Sequence, residues 1–462
     1  MKLSNTTLYS IITLSALPVC NINSQQYNQP NVLVILIDDA GYNDFGFMGS
    51  KDILTPNIDK LASQGTILTD AHVAATVSSP SRACIITGRY GHRFGYECNP
   101  SGRNYGVSLD EQTIADVFKE NGYRTAAIGK WHLGPQEQYH PNNRGFEYFY
   151  GMKAGGRDYF YDEKKSDRPG DERNILLNNK QVKFDGYLTD VFSEKAVEFI
   201  KQSDKPFMMY LAYNAVHTPM QATQDDLNRF KGHPRQKLAA MTWALDRGVG
   251  TVIQGLKESG KLDNTLIFFL SDNGGATTNN SSNYPLKGFK GNKFEGGHRI
   301  PYFVVWNGKI KSGVKFDGLS SSLDIFATAI DAAGISKTKN KLDGVSLLPY
   351  LSGKKKGNPH NVLFWRKMDT RAVRMGDYKL IVTHGVDSVL YNIKTDKEEM
   401  LNLIDEEPKV YKKLAKKLNE WEKNECVEPL WIENGWSEIT NGYHWRLMHN
   451  EIKTADDLRK KK

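Results

Sequence analysis

The sequence predicts an α/β fold with a doubly wound sheet, and three observations support this prediction. Apolar stretches of strand length alternate along the chain with stretches whose apolar residues recur at helical spacing. Polar and charged residues directly follow the end of each predicted strand. The chain has 462 residues, which is enough for a large core and a second, smaller domain. In such folds ligands bind along the edge formed by the carboxyl ends of the strands.

The first predicted strand spans residues 31–37, a continuous apolar run typical of a strand covered on both faces. Asp38 and Asp39 follow it directly. Adjacent carboxylates repel each other unless a cation or protons neutralise them. At this edge of a sheet the pair favours a binding site, and the alternative is a helix cap with one exposed aspartate.

A helix and a second strand come next. Residues 108–111 predict a capping box, and Gly122 predicts the end of the helix. The apolar stripe of this helix consists of Ile114, Val117 and Phe118. The strand predicted at 125–128 then leads to Lys130 and His132.

Two further strands complete the pattern. The strand predicted at 207–213 leads to His217, and the strand predicted at 265–270 leads to Asp272 and Asn273. A long helix lies between them, with an apolar stripe of Leu238, Met241, Leu245, Val249, Val252 and Leu256. Acidic, basic and imidazole groups therefore collect at one sheet edge, which predicts a catalytic site.

A short motif lies between the first two strands. Residues 78–82 read Ser-Ser-Pro-Ser-Arg, and residues 87–89 read Thr-Gly-Arg. Taken alone, this is a capped helix with proline in its first turn. The motif resembles the signature of the sulfatase family, a Ser or Cys followed by x-Pro-x-Arg and then Thr-Gly-Arg. The resemblance implies that Ser78 is oxidised after synthesis to formylglycine (3-oxoalanine), by a maturase that accepts serine.

A second block extends the resemblance. Residues 286–290 read Leu-Lys-Gly-Phe-Lys, and residues 295–301 read Glu-Gly-Gly-His-Arg-Ile-Pro. Lys290 matches the lysine that contacts sulfate in the family, whereas Lys287 stands where an arginine is usual and is not expected to be catalytic. The resemblance covers roughly residues 30–450. It implies an alkaline-phosphatase-like fold, a mixed sheet sandwiched by helices, with a smaller C-terminal subdomain of antiparallel sheet and helix.

The resemblance also implies the ligands of one metal ion. Ca²⁺ is the expected ion and Mg²⁺ is the less favoured one, since the side chains offer hard oxygen atoms. The implied ligands are Asp38, Asp39, Ser78, Asp272 and Asn273.

The family mechanism assigns roles to the other site residues. A hydroxyl of the hydrated formylglycine attacks sulfur, His217 protonates the leaving oxygen, and His132 takes the proton that allows sulfate to leave. Lys130 and Lys290 neutralise the charge of the sulfate ester. Arg82, one turn into the helix after Ser78, holds the hydrate and the metal-binding carboxylates.

The sequence also predicts the domain organisation. Lys2 precedes the apolar stretch 8–19, which indicates a signal peptide and a periplasmic location. Cys20 lies in a loose lipobox, so a lipidated membrane anchor is the alternative. The predicted segments are a signal peptide at 1–24, a catalytic domain at 28–353, a C-terminal subdomain at 360–450 and a basic tail at 451–462.

The C-terminal part follows a predicted linker at 354–359. Residues 371–382 and 389–393 predict strands, and residues 411–421 predict an amphipathic helix. The family subdomain of this type closes one side of the substrate cleft. Aromatic residues near the end are consistent with either sugar stacking or core packing. They are Trp431, Trp436, Tyr443 and Trp445.

Charge and cysteine content limit the other functions. The formal net charge of +8 is modest and sits partly in terminal lysine runs, so no nucleic-acid partner is predicted, although the balance favours an anionic substrate. After removal of a signal peptide, Cys84, Cys98 and Cys426 remain. A disulfide between Cys84 and Cys98 and buried free thiols are both open.

The predicted activity is hydrolysis of sulfate esters on a polysaccharide or its oligosaccharides. Algal glycans such as ulvan or carrageenan are favoured, and glycosaminoglycans come second. His92, Arg93 and Arg157 are candidate readers of carboxylate or sulfate groups. One alternative is a phosphate mono- or diester hydrolase of the same superfamily. The other is a sulfated-glycan-binding protein in which Ser78 is never oxidised.

Overall fold

A computed structural model describes residues 29–100, 105–433 and 436–459. The predicted signal peptide and Cys20 lie outside the described residues, as do the side chain of Trp436 and the last part of the basic tail. Within the described residues, no helix has both the length and the apolar character needed to cross a bilayer.

Strands occur throughout the described part of the chain. In chain order they are β1 (Asn31–Ile37), β2 (Thr66–Leu68), β3 (Ala71–His72), β4 (Arg124–Lys130), β5 (Tyr148–Met152), β6 (Leu176–Leu177), β7 (Lys180–Gln181), β8 (Phe207–Ala212), β9 (Thr265–Ser271), β10 (Tyr302–Val305), β11 (Val314–Phe316), β12 (Ser320–Ser321), β13 (Val362–Lys367), β14 (Thr370–Met375), β15 (Tyr378–Thr383) and β16 (Asp387–Asn392).

Helices connect and cover these strands. They are α1 (Pro56–Ser63), α2 (Ser78–Thr87), α3 (Ile114–Glu120), α4 (Leu188–Gln202), α5 (Gln224–Arg229), α6 (Gln236–Glu258), α7 (Glu295–His298), α8 (Asp324–Ala332), α9 (Leu348–Leu351), α10 (Pro408–Glu425), α11 (Trp436–Met448) and α12 (Ala455–Arg459). Short 3-10 turns lie at Gly46–Met48, Gly91–Phe94, Glu137–Tyr139, Pro141–Asn143 and Leu262–Asn264.

The large sheet has the strand order β11-β2-β10-β9-β1-β8-β4-β5-β6-β7. Its centre is parallel, because β1 pairs in parallel with β8 and β9, and β4 pairs in parallel with β8 and β5. Strand β10 is antiparallel to β9, so the sheet is mixed. The predicted α/β fold and the mixed sheet are therefore confirmed.

Helices cover both faces of this sheet. In β1, Leu33 and Ile35 point to the layer that contains α1, α4 and α6, while Val32 and Val34 point to the layer that contains α2, α3 and α8. Because successive side chains of a strand alternate between its faces, a strand covered on both sides must be apolar throughout. All residues of β1 are buried, as the apolar run predicts.

The start of α3 differs from the predicted start. Residues 108–111 do not cap the helix; Thr113 caps it instead and forms a capping box with Asp116. Arg144 donates to the carbonyls of Ser108 and Glu111, so tertiary contacts hold the predicted box in a loop.

The C-terminal subdomain consists of the antiparallel sheet β13-β14-β15-β16 and helix α10, as predicted. A buried ionic network attaches it to the catalytic part. Lys379 of β15 is fully buried, and its Nζ lies 2.9 Å from carboxylate oxygens of both Glu295 and Glu399. It also lies 2.9 Å from Nε2 of His298. A buried charge with such partners fixes the relative position of the elements that carry them.

The described cysteines are free thiols. Cys84 and Cys98 are both buried, and burial raises the pKa of each thiol to about 12. The disulfide alternative for these two residues is therefore not present in this structure.

Candidate active site

The predicted site residues lie at the carboxyl edge of four neighbouring strands, β9, β1, β8 and β4. Asp38 and Asp39 follow β1, and Asp272 follows β9. Lys130 is the last residue of β4, and His217 lies in the loop after β8. Because these strands are adjacent and parallel, residues far apart in sequence meet at one place.

Asp38 and Asp39 form the centre of the site, and each has a lysine partner. Lys130 Nζ donates to Asp38 Oδ2 at 2.6 Å, and both residues are fully buried. Lys290 Nζ lies 2.7 and 2.9 Å from the two carboxylate oxygens of Asp39. The adjacent acids are therefore compensated and are not a solvent-exposed cap.

Asp272 and Asn273 complete the acidic cluster. Arg82 donates to Asp272 Oδ2 through both Nε and Nη2, at 3.0 and 2.9 Å. Asn273 Nδ2 donates to Asp39 Oδ1 at 2.8 Å, which leaves its amide oxygen directed to Ser78. Arg82 thus orients the carboxylate that β9 supplies.

Ser78 is the first residue of α2 and is 1% exposed. Its Oγ lies 3.3 Å from Asp38 Oδ1 and 3.1 Å from Asn273 Oδ1. The backbone N–H of Ser79 donates to Asn99 Oδ1 at 3.0 Å. The start of a helix directs the positive end of its dipole toward this position, which favours an anion there.

The two histidines are held against a pair of glycines. A Cβ atom at Gly155 would lie 2.5 Å from Nε2 of His132, so only glycine allows this close approach. A Cβ atom at Gly156 would lie 3.3 Å from Cε1 of His217. His132 and Asp39 both have positive φ, at 58° and 63°, which is uncommon for residues with a side chain. Such backbone strain concentrates at functional sites.

Hydrogen bonds determine the tautomer of His217. Its Nδ1 lies 2.6 Å from the carbonyl oxygen of Thr218, so Nδ1 carries a hydrogen and donates it. Its Nε2 lies 3.7 Å from Asp39 Oδ2. The side chain is 24% exposed, which leaves Nε2 accessible from the adjoining cleft.

Burial and neighbouring charges shift the pKa values of the site in different directions. Burial alone would raise the pKa of Asp39, but Lys290 and then His217 outweigh it and hold that pKa below its usual range. Burial raises the pKa of Asp38, and Lys130 opposes it only in part. Burial, with the charges of Lys130 and Arg82, holds the pKa of His132 well below its usual value. His132 is therefore a neutral imidazole at neutral pH.

The donor set fits a hard divalent cation. Ser78 Oγ lies within 3.3 Å of Asp38 Oδ1 and 3.1 Å of Asn273 Oδ1, and Asn273 Nδ2 donates to Asp39, so oxygen atoms of the kind that Ca²⁺ prefers are grouped here. Potential ligand atoms of Asp38, Asp39 and His217 lie within 4.8 Å of one another. Asp272 Oδ1 accepts a hydrogen bond from the backbone N–H of Asp39 at 3.2 Å, so the predicted ligands are neighbours, and occupation by a metal ion stays a prediction.

A second cluster of potential ligands is already occupied by a cation of the chain itself. His72, Glu295 and His298 have ligand atoms within 4.8 Å of one another and are buried. The ammonium group of Lys379 contacts both Glu295 and His298 at 2.9 Å. This cluster therefore serves the attachment of the C-terminal sheet.

The candidate substrate readers are engaged elsewhere. Arg157 donates to both carboxylate oxygens of Asp167, at 3.0 and 2.8 Å, and is buried. Arg93 pairs with Asp343 and Glu425. His92 is buried against the carbonyl of Arg366. None of these three residues lines the cleft beside Lys290 and His217, so the structure does not bring them to the candidate site. Lys287, as expected, is not in the site: its Nζ donates to the carbonyl of Glu399.

A cleft of about 490 Å³ opens beside Lys290 and His217. Its lining includes Tyr443, which the sequence offered for sugar stacking or core packing, and other residues that the sequence did not indicate. Asn99 comes from the loop after the 3-10 turn at Gly91–Phe94. Lys367, Glu433 and Tyr443 come from the C-terminal part of the chain. None of these residues follows a strand of the large sheet or lies in a motif, so only the folded chain places them here. The aromatic content of the tail was the one available signal.

One further residue positions the site without entering it. The Tyr159 hydroxyl is buried and lies 2.6 Å from the carbonyl of Asn214 and 2.8 Å from that of His217. It supports the loop that carries the second histidine. No local pattern around Tyr159 indicates this role.

Comparison with known proteins finds related proteins over most of the chain. The sulfatase family model matches residues 30–335, and the model for the C-terminal part of N-sulphoglucosamine sulphohydrolase matches residues 290–424. The chain is 33% identical to the uncharacterized sulfatase YdeN of Escherichia coli (strain K12), over 80% of this chain and 75% of that protein. It is 32% identical to N-acetylgalactosamine-6-sulfatase of Canis lupus familiaris, over 76% and 71% of the two chains.

A solved structure is also similar. The crystal structure of Ps i-CgsB in complex with k-i-k-neocarrahexaose superimposes with a TM-score of 0.83 and 37% sequence identity. The similarity covers 91% of this chain and 98% of that chain.

Proposed function

We propose that this chain, which belongs to the sulfatase family and is a sulfuric ester hydrolase, removes sulfate from a sulfated galactan of the carrageenan type. The observation that carries the substrate proposal is the 37% identity to Ps i-CgsB, whose crystal structure contains a neocarrahexaose. Other relatives, such as N-acetylgalactosamine-6-sulfatase, also have names that refer to sulfated sugars. We further propose that the protein is exported to the periplasm, on the basis of its predicted signal peptide.

We propose Ser78 as the precursor of the nucleophile. Sulfatases are generally formylglycine- and metal-dependent, and Ser78 is buried at the start of α2 beside the acidic cluster. Once oxidised, this residue would supply a hydrated aldehyde whose hydroxyl group attacks sulfur. Its contacts with Asp38 and Asn273 hold the side chain toward the proposed metal ligands.

A bound metal ion would give the site the positive charge that an anionic substrate needs. The carboxylates of Asp38, Asp39 and Asp272 are paired with the cations Lys130, Lys290 and Arg82, respectively. These pairs cancel, wherever the proton of each pair resides. A Ca²⁺ ion held by the proposed ligands would add about two positive charges and polarise a sulfate oxygen. Negative charge that develops on the sulfate oxygens would then meet fixed positive groups.

The histidines have environments suited to opposite proton transfers. His132 is held neutral, and its Nδ1 is buried without a partner among the described residues, so it can accept a proton. His217 donates through Nδ1 to a backbone carbonyl, which leaves Nε2 as the nitrogen that carries a transferable proton. Asp39 Oδ2 lies 3.7 Å from this nitrogen. We assign the general acid to His217 and the base to His132.

We expect the His217→Ala variant to lose activity in proportion to the difficulty of the leaving group. A sugar hydroxyl is a poor leaving group and needs a proton, so desulfation of an oligosaccharide should fall by about 10²- to 10⁴-fold. The 4-nitrophenolate group of an activated ester such as 4-nitrophenyl sulfate leaves without a proton, so the rate on this substrate should fall much less. Steady-state rates on both substrates test this prediction.

The control for this variant is His449→Ala, because His449 is 41% exposed and lies outside the site. It should leave both rates unchanged. Equal losses on the sugar and aryl esters in His217→Ala would show that His217 is not the general acid.

Desulfation of defined oligosaccharides tests the substrate proposal. Sulfated galactan oligosaccharides, including neocarrahexaose, are compared with ulvan and glycosaminoglycan oligosaccharides, and released sulfate and products are measured by chromatography. We expect kcat/KM to be at least about tenfold higher for the galactans, a difference of about 1.4 kcal/mol in transition-state binding. Faster desulfation of a uronate-containing glycan would refute the substrate, and faster hydrolysis of phosphate esters would refute the reaction.

A further inference from the structure

We propose that the cleft beside Lys290 is a subsite for a neutral hexose ring, to which the C-terminal part of the chain contributes Lys367, Glu433, Ile439, Thr440 and Tyr443. This inference rests on the proposed function in taking a sulfated glycan as the substrate, and it adds which residues select the sugar. The cleft has a volume of about 490 Å³, within the range of small-ligand sites. Because Lys290 and His217 also line it, a group bound there adjoins the position of the scissile ester.

One wall of the cleft is apolar and aromatic. Tyr443 of α11 packs edge-to-face on Phe289, with ring centroids 5.5 Å apart. Ile439, one turn earlier on the same helix, is 48% exposed beside it. Phe289 directly precedes Lys290, so this wall begins next to the proposed sulfate contact. The C–H face of a pyranose ring is apolar and stacks on such a surface.

The other wall contains a buried ion pair. Lys367 Nζ lies 2.6 Å from Glu433 Oε2, and the two side chains are 8% and 9% exposed. Glu433 Oε1 accepts a hydrogen bond from the backbone N–H of Asn99 at 2.8 Å. The pair therefore keeps donors and acceptor positions for sugar hydroxyls but carries no net charge.

The ion pair sets the charge of the ring that fits. Apart from Asp39, His217 and Lys290 of the catalytic centre, Lys367 and Glu433 are the ionisable acidic or basic residues among the described residues that line the cleft. A uronate carboxylate in this position would face the Glu433 carboxylate and compete for Lys367, and an unpaired buried charge is costly. Neutral hydroxyls can bond to both partners without separating them. The cleft is therefore suited to a galactose-type ring and disfavours a uronic acid.

Binding to an inactive background tests the inference independently of catalysis. In a Ser78→Ala protein, calorimetric titration with neocarrahexaose is compared with titration with a sulfated, uronate-containing ulvan oligosaccharide. We expect neocarrahexaose to bind more tightly, and Tyr443→Ala to weaken its binding about tenfold. Trp445→Ala is the matched control, because Trp445 lies on the same helix, is 44% exposed and does not line the cleft. It should leave the binding unchanged.

A substitution in the ion pair tests the effect of its charge. Glu433→Gln leaves Lys367 without its carboxylate, so it should shift the ratio of the two affinities about tenfold toward the uronate-containing oligosaccharide. Glu428→Gln makes the same charge change at an exposed residue outside the cleft and should not shift the ratio. Tighter binding of the uronate ligand by the Ser78→Ala background, or no effect of Tyr443→Ala and Glu433→Gln, would overturn the inference.

These titrations, together with steady-state rates of desulfation, separate this inference from the proposed function. If neocarrahexaose binds in a Tyr443-dependent way but the Ser78-containing enzyme desulfates no galactan, the subsite stands and the proposed reaction on galactans fails. If galactans are desulfated but Tyr443→Ala lowers kcat/KM for neocarrahexaose and 4-nitrophenyl sulfate equally, the proposed function stands and the subsite fails. If Tyr443→Ala lowers kcat/KM more for neocarrahexaose than for 4-nitrophenyl sulfate, through a higher KM, the result supports both the subsite and the proposed function.

Discussion

The Ser78→Ala variant, produced in the native host, should lose on the order of 10⁴-fold or more of its sulfatase activity, as other hydrolases do without their nucleophile. The substitution removes only Oγ from a residue that is 1% exposed, so it should leave the fold intact. The peptide that contains Ser78 should be lighter by two hydrogens in the active enzyme, because oxidation converts the alcohol to an aldehyde. Steady-state kinetics and peptide mass spectrometry measure both effects.

Ser81→Ala is the matched control for this variant. Ser81 lies in the same helix, and its buried Oγ has no hydrogen-bond partner among the described residues, so its loss should cost little. It also occupies a variable position of the signature. Full activity in an enzyme whose Ser78 is unmodified would contradict the formylglycine proposal, and substantial activity in Ser78→Ala would contradict the nucleophile.

The sequence predicted those parts of the site that lie at strand ends or in continuous motifs. Asp38 and Asp272 could be placed together because β1 and β9 are buried parallel strands and their carboxyl ends share an edge. Ser78 was identified by a local signature. Arg82 and Lys290 were identified by the same kind of motif, and in the structure their side chains donate to Asp272 and Asp39.

Other features depend on contacts that no local pattern records. Lys367 and Glu433 are far apart in sequence, yet they form one pair in the cleft. Arg157 has the residue type of a sulfate reader, but Asp167 lies ten positions away and neutralises it. Residue type indicates which chemistry is possible, and only the neighbours decide whether a charge remains available.

The site also shows how the two parts of the chain divide the work. The large sheet supplies the acids, lysines and histidines, whose positions depend on strand ends and on the strained backbone at Asp39 and His132. The C-terminal part adds one wall of the cleft through Tyr443. In the proposed function, the chemistry therefore lies at the sheet edge, while substrate selection can vary with the C-terminal segment.

Removal of the proposed Ca²⁺ should abolish most activity and lower the thermal stability of the protein. Chelation would leave the substrate oxygens without their strongest positive neighbour, so we expect activity to fall by about 100-fold or more, since a Lewis acid contributes several kcal/mol. Ca²⁺ added at about 100 times its dissociation constant should stabilise the metal-free protein by about 2.7 kcal/mol, because it binds only the folded state. Calorimetric melting with and without Ca²⁺ measures this without reference to catalysis.

Asp39→Asn and Asp225→Asn make the test specific to the site. Asp39 is buried beside Asn273 and Lys290, and its amide variant should lose most of the stabilisation by Ca²⁺. Asp225 is exposed on α5, and its variant should respond as the unchanged protein does. If activity recovered more fully with Mg²⁺ than with Ca²⁺, the ion would be Mg²⁺. The site would then have the tighter octahedral shell that Mg²⁺ requires. Full activity and an unchanged melting temperature after chelation would refute the metal site, since Lys130, Lys290 and Arg82 would then suffice to hold the sulfate ester.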